Sequence, residues 1–419
     1  MALDDQIFRQ KKQSGITMNV QHILTNFIHA VTSSMHSARR KALQNIVLSA
    51  STQQQLTVTS LGRNLDTQAY EKHRIKSADR LLSNTQLFYE LPHIYQQLAR
   101  YFAGHQAQPV ILVDWSDLEP GQQFFLLRAA LACEGRSITL YEEVHSLATK
   151  DKPQTHQQFL RRLHAILPAS CKPVIVTDAG FRGPWFRQVL DIGWDYVGRV
   201  RNQTNYRLTP LPWQRCTSLY PRATKRAQWF NHVELAKERP LITNFVLFKD
   251  KAKGRRVYNR KGERNQSNRN ELAAKSWKEP WLLATSLAVT HQGQANGIVK
   301  RYQARMQIEE SFRDMKSVRF GLGMSMHNTK KMTRLAIMVM ISTLAGLYLY
   351  LIGLLGRVAG FARYFQANTV RDTFVMSCLS LGRRLLARCF DVIDELMEGI
   401  DVFERLRQHT LEYAVRWEP

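Results

Sequence analysis

Hydrophobic and polar residues change their rhythm along this chain, and the changes mark its parts. From about Met18 to Gly104 apolar positions recur at helical spacing, in VQHILTNFIHAV and again in TQLFYELPHIYQQLARYF. Between them, LTVTSLGRNL followed by YEKHRIKSADRLLS reads as two short helices joined by a polar turn, a helix-turn-helix-like arrangement. The rhythm then shortens. QPVILVDWSDL is a compact apolar run ending on a carboxylate, and QQFFLLRAALAC and SITLYEEV are β-rich runs joined by Glu134-Gly135-Arg136. The helix THQQFLRRLHAILP leads to KPVIVTDAGF, a buried-type strand stopped by Gly180; Pro184 opens another helix and WDYVGRVR makes a fifth strand. Three β elements followed by helix, strand, helix, strand predict a mixed α/β sheet with helices on its faces. Functional groups in such sheets sit at the carboxyl ends of strands, where Asp114 and Asp178 are expected.

Residues 201–295 read as further strands (HVELAKE, LITNFVLFKD, PWLLATSLAV) broken by polar loops. Next, Tyr302 to Lys316 contains neither proline nor glycine and reads as one helix. At about 100° per residue, Tyr302, Arg305, Glu309 and Lys316 share an arc of roughly 60°, so one face carries a phenol, a guanidinium, a carboxylate and an ammonium. Ala304, Ile308, Phe312 and Met315 form an apolar stripe beside it, while Gln303, Gln307, Glu310 and Asp314 point elsewhere. Leu335 to Gly356 is uncharged and, at ~1.5 Å per residue, long enough to cross a bilayer. Ser342, Thr343, Gly346, Tyr348, Tyr350 and Gly353 interrupt it, which favours a buried core helix over a membrane span.

Charge narrows the partners. The 419 residues hold 59 Lys plus Arg against 34 Asp plus Glu, a net charge of +25, which points to a polyanion. The cations run throughout the chain instead of gathering on one amphipathic helix, favouring nucleic acid over a membrane surface. They are densest from Lys249 to Arg269, where Arg255 and Arg256 sit in a stretch suited to lie along a phosphate backbone or to stand as a solvated loop. On the second helix of the helix-turn-helix-like pair, Lys72, Lys76 and Arg80 are one turn apart with His73 and Arg74 beside them, a face for a DNA groove or for solvent. Cys133, Cys171, Cys216, Cys378 and Cys389 are scattered without a Cys-x-x-Cys pair, which suggests a reducing compartment and no zinc site. Residues 1–17, polar and mixed in charge, read as neither signal peptide nor lipidation site.

Asp114 and Asp178, on adjacent strands, come side by side, and Glu309 arriving from the helix adds a third carboxylate. Such a group repels itself unless a cation sits within it, and all-oxygen donors suit Mg²⁺ or Mn²⁺. Two such ions ~3.5–4 Å apart would serve an in-line phosphoryl transfer. Asp117 competes with Asp114, and strand-end aspartates are also common turn and cap residues. Glu310 competes with Glu309, although it lies about 100° from the Tyr302 and Arg305 face. Trp281 is either a core residue or a platform on which an unstacked base stacks.

The motifs VILVDWSD, VIVTDAGF, KEPWLLAT and YQARMQIEESFRDMKS together carry a resemblance, with weaker matches around Leu61, in KHRIKSADRLLSN and in FQANTVR. The last of the four repeats Tyr, Arg, Glu and Lys at intervals of two, three and six residues. Over most of its length the chain resembles the cut-and-paste DDE transposases of the bacterial insertion-sequence-four family, most closely the type found in the tetracycline-resistance composite transposon. The resemblance implies an RNase H-like mixed-sheet core at 105–325, with a β-rich insertion at 201–295. It implies a helical DNA-end-binding region at 1–104, and a helical C-terminal region at 326–419 for dimerisation and DNA contacts. Asp114, Asp178 and Glu309 would hold the metal; Tyr302, Arg305 and Lys316 would contact transposon-end phosphates, and Trp281 would stack where a base flips out. Arg199, Arg201, Arg255 and Arg256 would add DNA contacts. The implied reaction runs from nicking through hairpin formation and opening to strand transfer into target DNA. A homodimer would bridge two ends beside the nucleoid, in the bacterial cytoplasm. Residues 1–17 precede the matching region, so Met18 is a candidate natural start. A metal-dependent nuclease and a non-catalytic DNA-binding protein are the alternatives.

Overall fold

A computed structural model describes residues 20–119, 121, 123–201, 204–250, 279–365, 374–388 and 402–415. Residues 1–17, Arg255 and Arg256 in the basic stretch, and most of FQANTVR lie outside the described residues.

The N-terminal periodicity yields helices α1 (Val20–Val31), α2 (Ser37–Thr52), α3 (Val58–Arg63), α4 (Glu71–Leu82) and α5 (Thr85–Ala103). Side chains start two of them: Thr57 accepts from the Ser60 N–H at 3.1 Å before α3, and Asn84 from the Leu87 N–H at 2.8 Å before α5. The expected short pair is α3 and α4, with Lys72, His73, Lys76 and Arg80 exposed. Arg74 turns back, donating to the Leu65 carbonyl at 3.0 Å, so this cation braces the turn between the two helices.

The middle of the chain is a mixed α/β sheet. Its strands are β1 (Val110–Asp117), β2 (Phe124–Ala132), β3 (Ser137–Ser146), β4 (Val174–Thr177), β5 (Asp195–Val200), β6 (Asn205–Arg207), β7 (Gln214–Arg215), β8 (Gln228–Leu235), β9 (Leu241–Phe248) and β10 (Trp281–Thr285). Among the described residues they form one ten-stranded sheet in the order β3-β2-β1-β4-β5-β10-β9-β8-β6-β7. β1, β4 and β5 are parallel, β2 and β3 antiparallel beside them, and β10 adds antiparallel to β5. The strands after 201 therefore extend the same sheet. Val110 to Val113 and Val174 to Thr177 are buried, as apolar runs covered on both faces must be.

One face carries α6 (Pro153–Ile166) and α7 (Gly183–Asp191), each opened by a proline where its missing N–H costs nothing. Phe186 of α7 stacks on Tyr196 of β5 with ring centroids 4.5 Å apart, and it lies so close to the strand that a Cβ on Gly198 would stand 2.3 Å from its ring. The other face carries α8 (Gln292–Ala304) and α9 (Met306–Lys316). Here the structure departs from the single helix expected over Tyr302–Lys316. The Arg305 N–H bonds to the Tyr302 carbonyl at 3.1 Å and the Ile308 N–H to the Arg305 carbonyl at 3.2 Å, so a tighter three-residue turn separates the two helices at Arg305. Hydrogen bonding tightens the turn without glycine or proline, which is why composition did not mark it. The expected stripe of Ala304, Ile308, Phe312 and Met315 is buried.

The long apolar segment is α10 (Met332–Val358), with 89% of its most apolar stretch buried inside the protein. It crosses α12 (Cys378–Arg388) at glycines on both helices: a Cβ on Gly353 would lie 1.8 Å from the Cys378 carbonyl oxygen, and one on Gly382 1.9 Å from that of Leu349. The short α11 (Ala362–Phe365) and α13 (Val402–Val415) complete the C-terminal part.

Where sheet and helices meet, Arg128 of β2 and Glu142 of β3 form an ion pair at 2.6 Å with side chains only 3% and 1% exposed. Glu142 also accepts from Tyr95 of α5 at 2.9 Å and Thr343 of α10 at 2.5 Å, and Arg128 lies over the Phe312 ring of α9 at 4.9 Å. Arg128→Met leaves Glu142 charged and unpaired in this interior, and is expected to cost about 3–5 kcal/mol. Urea denaturation measures the loss, and Arg128→Met combined with Glu142→Leu should recover much of it.

Candidate active site

The register of β1 on β4 builds the centre. Val113 pairs with Thr177 in parallel, so the next residues, Asp114 and Asp178, stand side by side as the two strands part. Asp114, expected at the end of β1, instead lies within it; the strand runs on to Asp117 because β2 keeps pairing with it, up to Asp117 opposite Phe125. Successive side chains alternate across the sheet, so Asp114 faces the α9 side and Trp115 the α6 side. There the Trp115 indole donates to His156 Nε2 at 3.1 Å, and the His156 ring stacks on Phe181 at 5.1 Å. His156, which sequence reading missed, thus touches both aspartate-bearing segments from behind. Burial holds its imidazole down to about 4, keeping it neutral.

On the α9 side, Asp114, Ser116, Asp117, Asp178, Arg305, Glu309, Arg313 and Lys316 line one cleft of about 770 Å³. Asp114 accepts from its neighbour's N–H, that of Trp115, at 2.8 Å, and Asp178 from the Gly180 N–H at 2.8 Å, a turn that fixes its carboxylate. The guanidinium of Arg305 reaches Asp114 at 3.2 Å and Glu309 at 2.6 Å, bridging strand and helix carboxylates. Lys316 donates to the Ser116 hydroxyl at 2.8 Å and the Asp117 carbonyl at 3.2 Å; burial pulls its pKa down. Glu310 turns away to pair with Arg313 and, at 3.8 Å, with Arg136. Gln307 and Asp314, also off the expected face, tether α9: Gln307 accepts from the Cys133 N–H at 2.9 Å, and Asp314 takes Arg136 at 2.6 Å.

The four-residue face is only partly as expected. Arg305, Glu309 and Lys316 reach the cleft, whereas Tyr302 is buried behind Arg305, with its ring edge-on to Trp281 at 5.0 Å. Burial raises the Tyr302 pKa. Trp281 is half-buried and also meets Phe248 at 5.9 Å, a packing role in this arrangement. Arg199 and Arg201 gather on Glu279, at 3.7 and 2.5 Å.

Burial first, and the charge of Asp178 second, push the Asp114 carboxyl up to about 7, against the pull of Arg305. Asp114, Asp178 and Glu309 all line this one cleft. Among the described residues no three His, Cys, Asp or Glu side chains are grouped to hold a metal ion, and Arg305 stands between Asp114 and Glu309. In kind, the donors still fit a hard divalent cation: they are oxygens only, and the crowded negative charge that raises Asp114 is what a cation relieves.

An acidic centre ringed by cations, on a sheet of a strongly basic chain, is the site of a protein that handles a polyanion. The family model of the transposase DDE domain matches residues 105–345, more than half of the chain, and the chain belongs to that family. Its activity is that of a transposase and its partner is DNA. A comparison with curated proteins found no match.

The raised Asp114 pKa has a sign in stability. Its unfolded value is about 3.9, so between about pH 4 and 7 the folded chain holds the extra proton, and the stability this group contributes, full below pH 4, is lost as pH rises through 7. With EDTA present, Asp114→Asn should therefore gain on the wild type in urea midpoint from pH 4 to 8. A gap moving the other way would show an ionised Asp114 satisfied by Arg305.

Proposed function

We propose that the chain is a cut-and-paste transposase of the insertion-sequence-four type, resembling that of the tetracycline-resistance composite transposon. The observation that carries this reading is the pairing of Val113 with Thr177, which sets Asp114 beside Asp178 in a cleft that Glu309 also lines. The strand order β3-β2-β1-β4-β5, antiparallel then parallel, supports an RNase H-like core within 105–325, with 201–295 as its β-rich insertion. Regions 1–104 and 326–419 would serve end binding and dimerisation, and the homodimer would act in the bacterial cytoplasm.

In this reading Asp114, Asp178 and Glu309 hold Mg²⁺ or Mn²⁺, two ions in all. Bound divalent ions supply Lewis-acid stabilisation of the phosphoryl oxygens and make the attacking oxygen more acidic. The chain's own residues do the positioning. Lys316, fixed by Ser116, and Arg305, backed by Tyr302, present cations to the phosphates at the transposon end. Arg305 has a double part, since the group that would grip a phosphate is the one that neutralises Asp114 and Glu309 here. Lys72, Lys76 and Arg80 on α4 would contact the end further out, and Trp281, freed from Tyr302 and Phe248, would stack on a flipped base. Nicking at the end, attack of the freed 3′-OH on the opposite strand, hairpin opening and strand transfer then follow as successive phosphoryl transfers.

A gel assay on a linear duplex bearing the element's terminal repeats, with Mg²⁺, tests this. Hairpins and joined products are expected; nicks alone would mean a nuclease, and a mobility shift alone a non-catalytic binding protein. Glu309→Gln should reduce nicking to background while keeping end binding, and normal cleavage by that variant would remove Glu309 from the site. Lys316→Ala should weaken end binding and lower the slope of log affinity against log salt by about 0.9, as for one lost phosphate contact. An unchanged slope places that lysine off the DNA.

A further inference from the structure

A second cleft, of about 1050 Å³, meets the first at Asp178, which lines both. It opens at the carboxyl ends of β4 and β5, and its walls come from three separate stretches: Arg182 just before α7 and Arg187 within it, Arg199 and Arg201 around the end of β5, and Lys237 and Arg239 in the turn between β8 and β9. Against these six cations the lining among the described residues holds Asp178 and Glu238, with Glu279 pairing Arg199 and Arg201 from beside it. Among the described residues, Arg187 and Arg199 each carry a buried guanidinium N–H without a hydrogen-bond acceptor, a cost that an anionic oxygen brought to them would offset. Arg182, Lys237 and Arg239 are exposed.

We infer that this basic cleft takes the phosphodiester backbone of the cut DNA strand, on the side of the scissile phosphate away from Lys316. The inference rests on the proposed function, which puts the scissile phosphate at Asp114 and Asp178. A strand held there must leave in two directions. One leads through the first cleft past Lys316; the other enters the second, where cations from α7 and from the β8–β9 turn line the same cleft. The chain reads no sequence in this cleft: arginine and lysine on phosphate give position, not base identity.

Arg182→Ala, Lys237→Ala and Arg239→Ala combined in the full-length chain test it, since exposed side chains at these positions leave the core intact. Fluorescence anisotropy with a labelled 30-base-pair duplex of mixed sequence, in EDTA across 50 to 300 mM salt, reads the phosphate contacts. Affinity about tenfold lower, with the salt slope reduced by about 2–3, is the expected result, at roughly 0.9 per phosphate. An unchanged slope overturns the inference. So does saturable binding of inorganic phosphate or a mononucleotide to the wild type that the triple variant loses while its DNA slope stays the same, because the cleft would then be a small-anion pocket. The two levels separate cleanly. If the wild type makes hairpin and joined products while the variant's slope is unchanged, the cleft fails and the proposed function stands. If the slope falls as expected but the wild type never cuts end DNA, the proposed function fails instead.

Discussion

The buried pair of Arg128 and Glu142 is the constraint on which the rest of the molecule depends. Removing two charges from water is costly, and the cost is offset only where geometry and extra hydrogen bonds are good. Here the extra partners are Tyr95 and Thr343, so one carboxylate ties an N-terminal helix, the sheet and the long core helix together. Arg128 in turn lies in register with Asp114 and against the ring of Phe312 of α9. The interaction that closes the core therefore also joins the strand paired with Asp114 to the helix that carries Glu309.

The cleft itself is an electrostatic compromise. Asp114 and Asp178 are held by the sheet whether or not their charges suit each other, and burial of Asp114 sharpens the conflict. Arg305 relieves it, from a turn where the helix tightens for three residues. A chain of net charge +25 thus keeps this acidic centre within reach of Arg305, Arg313 and Lys316, and a second, basic cleft opens next to it. Substrate attraction and self-neutralisation draw on the same side chains.

Much of the architecture was legible in the pattern of residues. Apolar runs of strand length gave β1 to β5, Pro184 opens its helix, and the stripe from Ala304 to Met315 is buried as its spacing implies. Gly353, read only as an interruption in an apolar segment, turns out to be where α10 touches the backbone of α12. Other features had no local signal. The break at Arg305 comes from hydrogen bonding; Arg74, read beside a face for a DNA groove or for solvent, braces a turn here, and Tyr302, to which the resemblance gives a phosphate contact, is buried behind Arg305.

What the sequence determined by itself is the set of local elements and the chemistry available: periodicity fixes which residues face inward, and residue type fixes charge and donor atoms. What only the tertiary structure decided is who meets whom. The Asp114–Asp178 neighbourhood, the Arg305 bridge to Glu309, the His156 contact with both aspartate segments and the joining of two clefts at Asp178 all pair residues far apart in the chain. Such pairings follow from strand register and helix docking, which are settled by packing over the whole molecule and leave no mark in any single stretch.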